Sequence, residues 1–264
     1  MLGAPLIWLL VIYLGSLIAL LLTSLYTTDA FTGDLVKTVS FENFSDLIHN
    51  PTFRTVTFRT VGIAASVTVI DLCLALPIAF FMAKVARPRW RRALAVALVL
   101  PLWASYLVKA YCWRAILDPS AGVMKQVLGF SPGFGVVGTT IVLAYLWLPY
   151  MALPIYAGLE KMPDSLLDAS GDLGGKAGRT FWSVVLPLLK PSILAGAIFT
   201  FSLSLGDYIT VQIVGGKAQM IGNVIYRDFG AGLLPEAAAF AFVPVLIMIL
   251  FLLMVRRSGA LENL

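Results

Sequence analysis

A chain of 264 residues in which 59% are hydrophobic and 12% charged, with a mean hydropathy of +0.91, has too little polar surface to cover a water-soluble globule of its size. The net charge of +5 does not point to nucleic acid, because the basic residues are scattered between apolar blocks instead of gathered on one phosphate-binding face. Composition therefore selects an all-α integral membrane protein.

A bilayer core of about 30 Å needs roughly 20 apolar residues per helix. Six windows of that kind follow one another along the chain, at 5–25, 61–83, 93–113, 136–159, 192–214 and 237–255. The first has no Lys or Arg ahead of it and is longer than a signal-peptide core, so it is read as a helix of the mature protein. Between the first two windows, the loop 26–60 places Phe41, Phe44, Leu47 and Ile48 at helical spacing among Asp29, Asp34, Glu42 and Asp46. That pattern predicts a short amphipathic helix lying on the outer surface. The second window contains Asp71, and Trp103, Tyr106 and Tyr111 stand toward the outer end of the third. The fifth contains Asp207, followed by Tyr208. Pro77, Pro149 and Pro154 inside the windows read as kinks. No linker or repeat marks a second unit, so residues 1–264 are read as one transmembrane domain.

Orientation follows from the short loops, where Lys and Arg accumulate on the cytoplasmic side. The tightest basic cluster, Lys84, Arg87, Arg89, Arg91 and Arg92, places the loop between the second and third windows inside. Both termini are then cytoplasmic, and so is the segment 160–190 between the fourth and fifth windows.

That segment is far longer than a helix connection needs. Its local signals predict helix, turn, helix. Ser165 with Asp168 three residues on forms a capping box, Leu166, Leu167 and Leu173 give an apolar face, and Gly174-Gly175 ends the first helix. The second helix is expected from about Gly178 to Leu186.

Here the sequence resembles the membrane components of binding-protein-dependent, type I ABC importers. Their cytoplasmic EAA loop reads Glu-Ala-Ala, three residues, Gly, nine residues, Ile-x-Leu-Pro. This chain has Asp168-Ala169-Ser170, three residues, Gly174, nine residues, then Val184-Val185-Leu186-Pro187. The spacing matches in full, with Asp for Glu, Ser for the second Ala and Val for Ile. The resemblance implies that Asp168, Ala169, Ser170, Gly174, Val184, Leu186 and Pro187 belong to a coupling helix and its support, which dock on a separate ATPase. The chain itself has no G-x-x-x-x-G-K-[ST] loop. The resemblance accordingly implies no cofactor bound here, with ATP and Mg²⁺ on the partner. Phe41-Glu42-Asn43-Phe44, Leu100-Pro101-Leu102-Trp103, Asp172-Leu173-Gly174 and Ile221-Gly222-Asn223-Val224-Ile225 are similar to the spermidine/putrescine branch, most of all its first permease subunit. In that branch a second, different permease chain, two ATPase copies and a periplasmic or lipid-anchored solute-binding protein complete the transporter, with polyamine as the solute. Related permeases carry opines, amino-acid derivatives, phosphonates or ferric iron.

Two carboxylates inside apolar windows must face protein or water, since each costs about 2.5–3.5 kcal/mol in lipid. Asp207, with Tyr208 beside it, is the first candidate for the solute path, and the resemblance strengthens that assignment. Asp71 is set mainly to helix packing. Trp103, Tyr106 and Tyr111 suit the interfacial aromatic belt, and alternatively offer cation-π contacts to a cationic solute. His49 is the sole histidine and reads as solvated, while Cys73 and Cys112 lack partners at metal-ligand spacing, so neither disulfide nor metal is expected. A membrane enzyme lacks its catalytic cluster, and a secondary transporter lacks the inverted repeats and extra intramembrane charges.

Overall fold

The computed structural model describes residues 3–29 and 34–257. The expected position of the two ends falls in part on residues 1–2 and 258–264, outside the described residues. Helix α1 (Gly3–Ser24) carries no charge and is about 33 Å long at 1.5 Å per residue, enough to cross a bilayer. Most of its side chains are exposed and it packs mainly along α13 (Leu234–Arg257), with Ser24 at its end buried and its carbonyl accepting from Asn43 Nδ2 (2.9 Å). A two-stranded antiparallel hairpin, β1 (Thr27–Thr28) with β2 (Leu35–Val36), follows, and the Thr28 hydroxyl donates to Glu236 at the start of α13 (3.1 Å).

The predicted amphipathic helix is α2 (Glu42–His49). It does not lie free on the surface, because Phe44 and Leu47 turn inward, Phe44 against Phe242 (ring centroids 6.3 Å apart) and Leu47 against Val56 and Phe240. Asn50 then caps α3 (Pro51–Phe80), accepting the Thr52 N–H at 2.9 Å, with Pro51 at the first helical position where its missing N–H costs nothing. The second span thus begins about three turns before the apolar window at 61. It ends in a π turn, Phe81–Val85.

The third window is not one helix. α4 (Pro88–Trp103) and α5 (Tyr106–Leu117) meet at 94°, the chain turning at Ala104 and Ser105, three and four residues after the helix-disrupting Pro101. After the short α6 (Val123–Leu128), α7 (Val136–Lys161) is the fourth span, with Pro149 and Pro154 accommodated inside it. α8 (Ser165–Asp172) is the predicted first helix of the long loop. Ser165 is its first helical residue rather than its cap, so the capping box does not form. Asp164 holds the cap position, and its carboxylate is turned to Lys84 instead. Beyond the turn the chain is helical without interruption from 177 to 205, through α9 (Ala177–Thr180), a π turn (Phe181–Val185) and α10 (Leu186–Leu205). The expected second loop helix and the fifth span are therefore one element. The π turn stands just ahead of Pro187 and Pro191, whose missing N–H groups interrupt the regular ladder there. The fifth window breaks at Gly206-Asp207-Tyr208, beyond which lie α11 (Ile209–Val214), α12 (Ile221–Gly230) and the last span α13.

Among the described residues five helices are long and apolar enough to cross a membrane, or six if the bent α4–α5 pair is one span. At the centre α3, α7 and α10 pack against one another. Small residues make the approach close, since Ala75, Ala79 and Ala83 meet Ala152 and Ala197 in one cluster. A Cβ at Gly196 would stand 2.8 Å from Met151 Sδ, so only glycine fits there.

Candidate functional site

Two breaks, at Ala104-Ser105 and at Gly206-Tyr208, build the first site. Gly206 closes α10, and Asp207, 7% exposed, folds back over the open start of α11. Its Oδ1 accepts the Thr210 N–H (2.9 Å) and its Oδ2 the Thr210 hydroxyl (3.4 Å), satisfying a helix-start donor that has no intrahelical partner. The turn at 104–105 swings Tyr106 to the head of α5, where its hydroxyl donates to Asp207 Oδ2 and also meets Thr210 Oγ1. Trp147 of α7 stacks on Tyr106 with centroids 6.0 Å apart and planes at 23°. Tyr208 is fixed from the other side. Asn223 Nδ2 donates to its carbonyl (2.9 Å), and Tyr226 stacks on its ring at 5.0 Å. Tyr106, Trp147, Gly206, Asp207 and Tyr208 line an open cleft of about 370 Å³. All donors on the carboxylate are neutral, and no Lys or Arg pairs with it among the described residues.

The predicted path residues are thus divided. Asp207, Tyr208 and Tyr106 come together. Tyr111 lies in a second cleft, of about 660 Å³, shared with Tyr208, Tyr226 and Arg114. Trp103 is 88% exposed at the helix break, the setting of an interfacial anchor. Asp71 lines neither cleft. It belongs to the buried stripe Ile63, Val67, Asp71, Ala75 and Ala79 of α3, and neither carboxylate oxygen has a hydrogen-bond partner among the described residues. Trp147 and Thr210 were not among the sequence candidates. Trp147 sits in an apolar run that reads as plain span, and no local signal marks Thr210 as a partner of Tyr106.

The second site is the loop surface. Asp168 and Ala169 are exposed on α8, and Leu173 just past it is 90% exposed, an unusual position for a leucine outside the spans. Gly174 has φ +76 with open space around it, the left-handed turn that ends the helix. Gly175 N–H donates to Ser170 O (2.8 Å), and the Ser170 hydroxyl meets Thr180 Oγ1 (2.8 Å), so Ser170 faces inward and ties α8 to α9. Leu167 is half-buried against Val185 and Leu189, anchoring α8 to the base of α10. Val184 and Leu186 are half-buried in the π turn and at the start of α10, with Pro187 exposed beside them. These three support the helix rather than form its outer face. From the π turn that follows α3, Lys84 Nζ donates to Met162 O (2.7 Å) and to Asp164 Oδ1 (2.6 Å). That hydrogen bond and the ammonium charge hold the Asp164 carboxyl below its ordinary range.

Solved structures share this arrangement. A bacterial ABC transporter that imports the acidic polysaccharide alginate superposes with a TM-score of 0.72 at 19% identity, covering 97% of this chain and 94% of that one. The MetNI methionine ABC transporter superposes with a TM-score of 0.62 at 15% identity, over 77% and 93%. The fold is that of an ABC importer permease. A family profile, binding-protein-dependent transport system inner membrane component, matches residues 60–261, and the chain belongs to that family. It is 41% identical to the inner membrane ABC transporter permease protein YdcU of Escherichia coli (strain K12), over 98% of this chain and 89% of that protein. It is 32% identical to the spermidine/putrescine transport system permease protein PotB of Haemophilus influenzae, over 72% and 69%. The chain is accordingly a multi-pass inner-membrane permease subunit of an ABC importer, not itself an enzyme.

Proposed function

We propose that this permease carries a polyamine such as spermidine or putrescine, and that α8 couples its movement to a separate ATPase. The carrying observation is Asp207. It is a carboxylate at the rim of a cleft walled by the Tyr106, Trp147 and Tyr208 rings, hydrogen-bonded only by neutral groups. A flexible polycation finds charge pairing and ring faces there, each ring face being worth about 0.5–2 kcal/mol. One acid rather than a cage keeps binding weak enough for release. The second cleft is less suited, because Arg114 lines it. Relatives named as spermidine/putrescine permeases support the reading.

In this reading both termini, the turn at 84–92 and the loop 160–190 face the cytoplasm. Asp168, Ala169, Leu173 and Gly174 present the docking surface, and continuous helix from Ala177 to Leu205 carries ATPase closure to the break at Asp207. The partners are a second permease chain, two ATPase copies that hold the ATP and Mg²⁺, and a solute-binding protein outside. Proteoliposomes containing the whole assembly should show ATP-dependent, saturable uptake of labelled spermidine or putrescine. Accumulation of an amino-acid derivative or phosphonate instead, with no polyamine uptake, would remove the substrate assignment.

A further inference from the structure

A third cleft, sharing no lining residue with the first two, lies where α3 gives way to α4. The apolar part of the second span ends with Val85, and the third window begins at 93, so the turn between them sits at a membrane boundary. Phe81, Val85, Ala86, Arg87, Trp90 and Leu94 enclose about 350 Å³ there. Phe81, Val85 and Trp90 are 51%, 60% and 66% exposed, giving one wall a length of apolar surface.

The charges on this turn divide into two sets. Lys84 is committed to Met162 O and Asp164, and Arg91 donates to Ala83 O (2.6 Å). Arg87, Arg89 and Arg92 are exposed, with no side-chain hydrogen bond or ion pair among the described residues. No Asp or Glu occurs in the sequence between Asp71 and Asp118, so nothing nearby on these helices offsets them. Unpaired arginines, an interfacial tryptophan and an apolar wall at the membrane edge match a molecule that is anionic at one end and hydrocarbon at the other.

We infer that this cleft binds an anionic phospholipid of the adjacent leaflet, its phosphate on Arg87 and its acyl chain along Phe81, Val85 and Leu94. The same turn carries Lys84, which holds the start of α8. A bound lipid therefore braces the element that supports the docking helix. Assignment of the leaflet as cytoplasmic rests on the orientation proposed above, but lipid binding does not, so the two can fail separately.

The test uses the assembled transporter in nanodiscs with equal mole fractions of phosphatidylglycerol and phosphatidylcholine. Lipid retained after mild detergent extraction is counted by native mass spectrometry. Wild type should retain phosphatidylglycerol in preference. Arg87→Gln should lower that retention about fivefold, the factor equivalent to about 1 kcal/mol for one charge at a membrane surface. Arg87→Lys should restore it, and Trp90→Ala should lower retention of both lipids. Lys84, Arg89, Arg91 and Arg92 remain in each variant of Arg87 to hold the topology. Parity of the two lipids on wild type overturns the inference and needs no variant. So does an unchanged count in Arg87→Gln, or displacement of the lipid by millimolar inorganic phosphate.

Discussion

The substrate assignment turns on Asp207→Asn. In the protein Oδ1 accepts the Thr210 N–H at 2.9 Å, and Oδ2 faces the hydroxyls of Tyr106 and Thr210. An asparagine keeps the Oδ1 acceptor, and its amide N–H can donate to the Tyr106 oxygen, which has a free lone pair. Exchanging these bonds costs about 0.5–1.5 kcal/mol, too little to undo the break between α10 and α11. What disappears is the negative charge. A charge-assisted contact to an amine is worth about 1.5–3 kcal/mol, so the occupancy of the cleft by a polyamine should fall about 10- to 150-fold. Uptake by proteoliposomes with saturating binding protein should drop accordingly, at unchanged assembly and unchanged thermal stability. Two controls separate charge from architecture. Asp207→Ala strands the Thr210 N–H, at about 1–3 kcal/mol, and leaves the Tyr106 hydroxyl only Thr210 Oγ1, so it should lower the Tm as well. Asp71→Asn, at a residue lining neither cleft, should leave uptake well above that of Asp207→Asn. Full polyamine uptake by Asp207→Asn at normal expression would make this carboxylate a cap for α11 and nothing more.

Four further outcomes follow from named contacts. Gly174→Trp places a side chain in open space at φ +76, at about 1–2 kcal/mol of backbone strain. It should abolish solute-stimulated ATPase activity while the spans stay folded, and retained coupling would refute the docking role of α8. Gly196→Val brings a Cβ to 2.8 Å from Met151 Sδ and 3.0 Å from Met151 O, so overpacking of about 1–3 kcal/mol should lower the Tm of the purified assembly. An unchanged Tm would contradict the close crossing of α7 and α10. Lys84→Met should raise hydrogen exchange across 163–173. The Asp164 carboxyl lies below its ordinary value of 3.8, so the pairing is fully present above that pH and lost as pH falls through the lower folded value. Exchange in wild type should therefore be insensitive to pH between 6 and 8 once the intrinsic rate is corrected. With Cys73 and Cys112 replaced by Ser, impermeant maleimide added outside should label Asp46→Cys and leave Lys176→Cys untouched, and the reverse pattern would invert the topology.

Membrane residence, the approximate spans and the loop from 160 to 190 were legible in the sequence because they depend on local quantities. These are the length of charge-free runs, the 3.6-residue period and the fixed spacing from Asp168 to Pro187. The helix ends were less legible. Asn50-Pro51 carried a start signal that a hydropathy window ignores, and α3 accordingly begins well before residue 61. Continuity from Ala177 to Leu205 was hidden by Pro187 and Pro191, which read as boundaries yet are absorbed by a π turn. The two sharp breaks lay outside any window average. The 94° bend leaves composition unchanged, and a Gly-Asp-Tyr step inside an apolar run looks like span.

Tertiary structure alone decided which candidates meet. Tyr106 and Asp207 are far apart in the chain and touch because both breaks point their residues into the same space, while Trp103, a few positions away, faces outward. It also set Trp147 against Tyr106, left Asp71 buried without a hydrogen-bond partner among the described residues, and joined Lys84 to Asp164 across the bundle. The physical reason is the range of the forces concerned. Transfer to lipid and helix formation act on residues within a turn or two of one another, so a sequence records them directly. Hydrogen bonds and ring contacts need atoms within a few ångströms, and the packing of separate helices alone brings such atoms together.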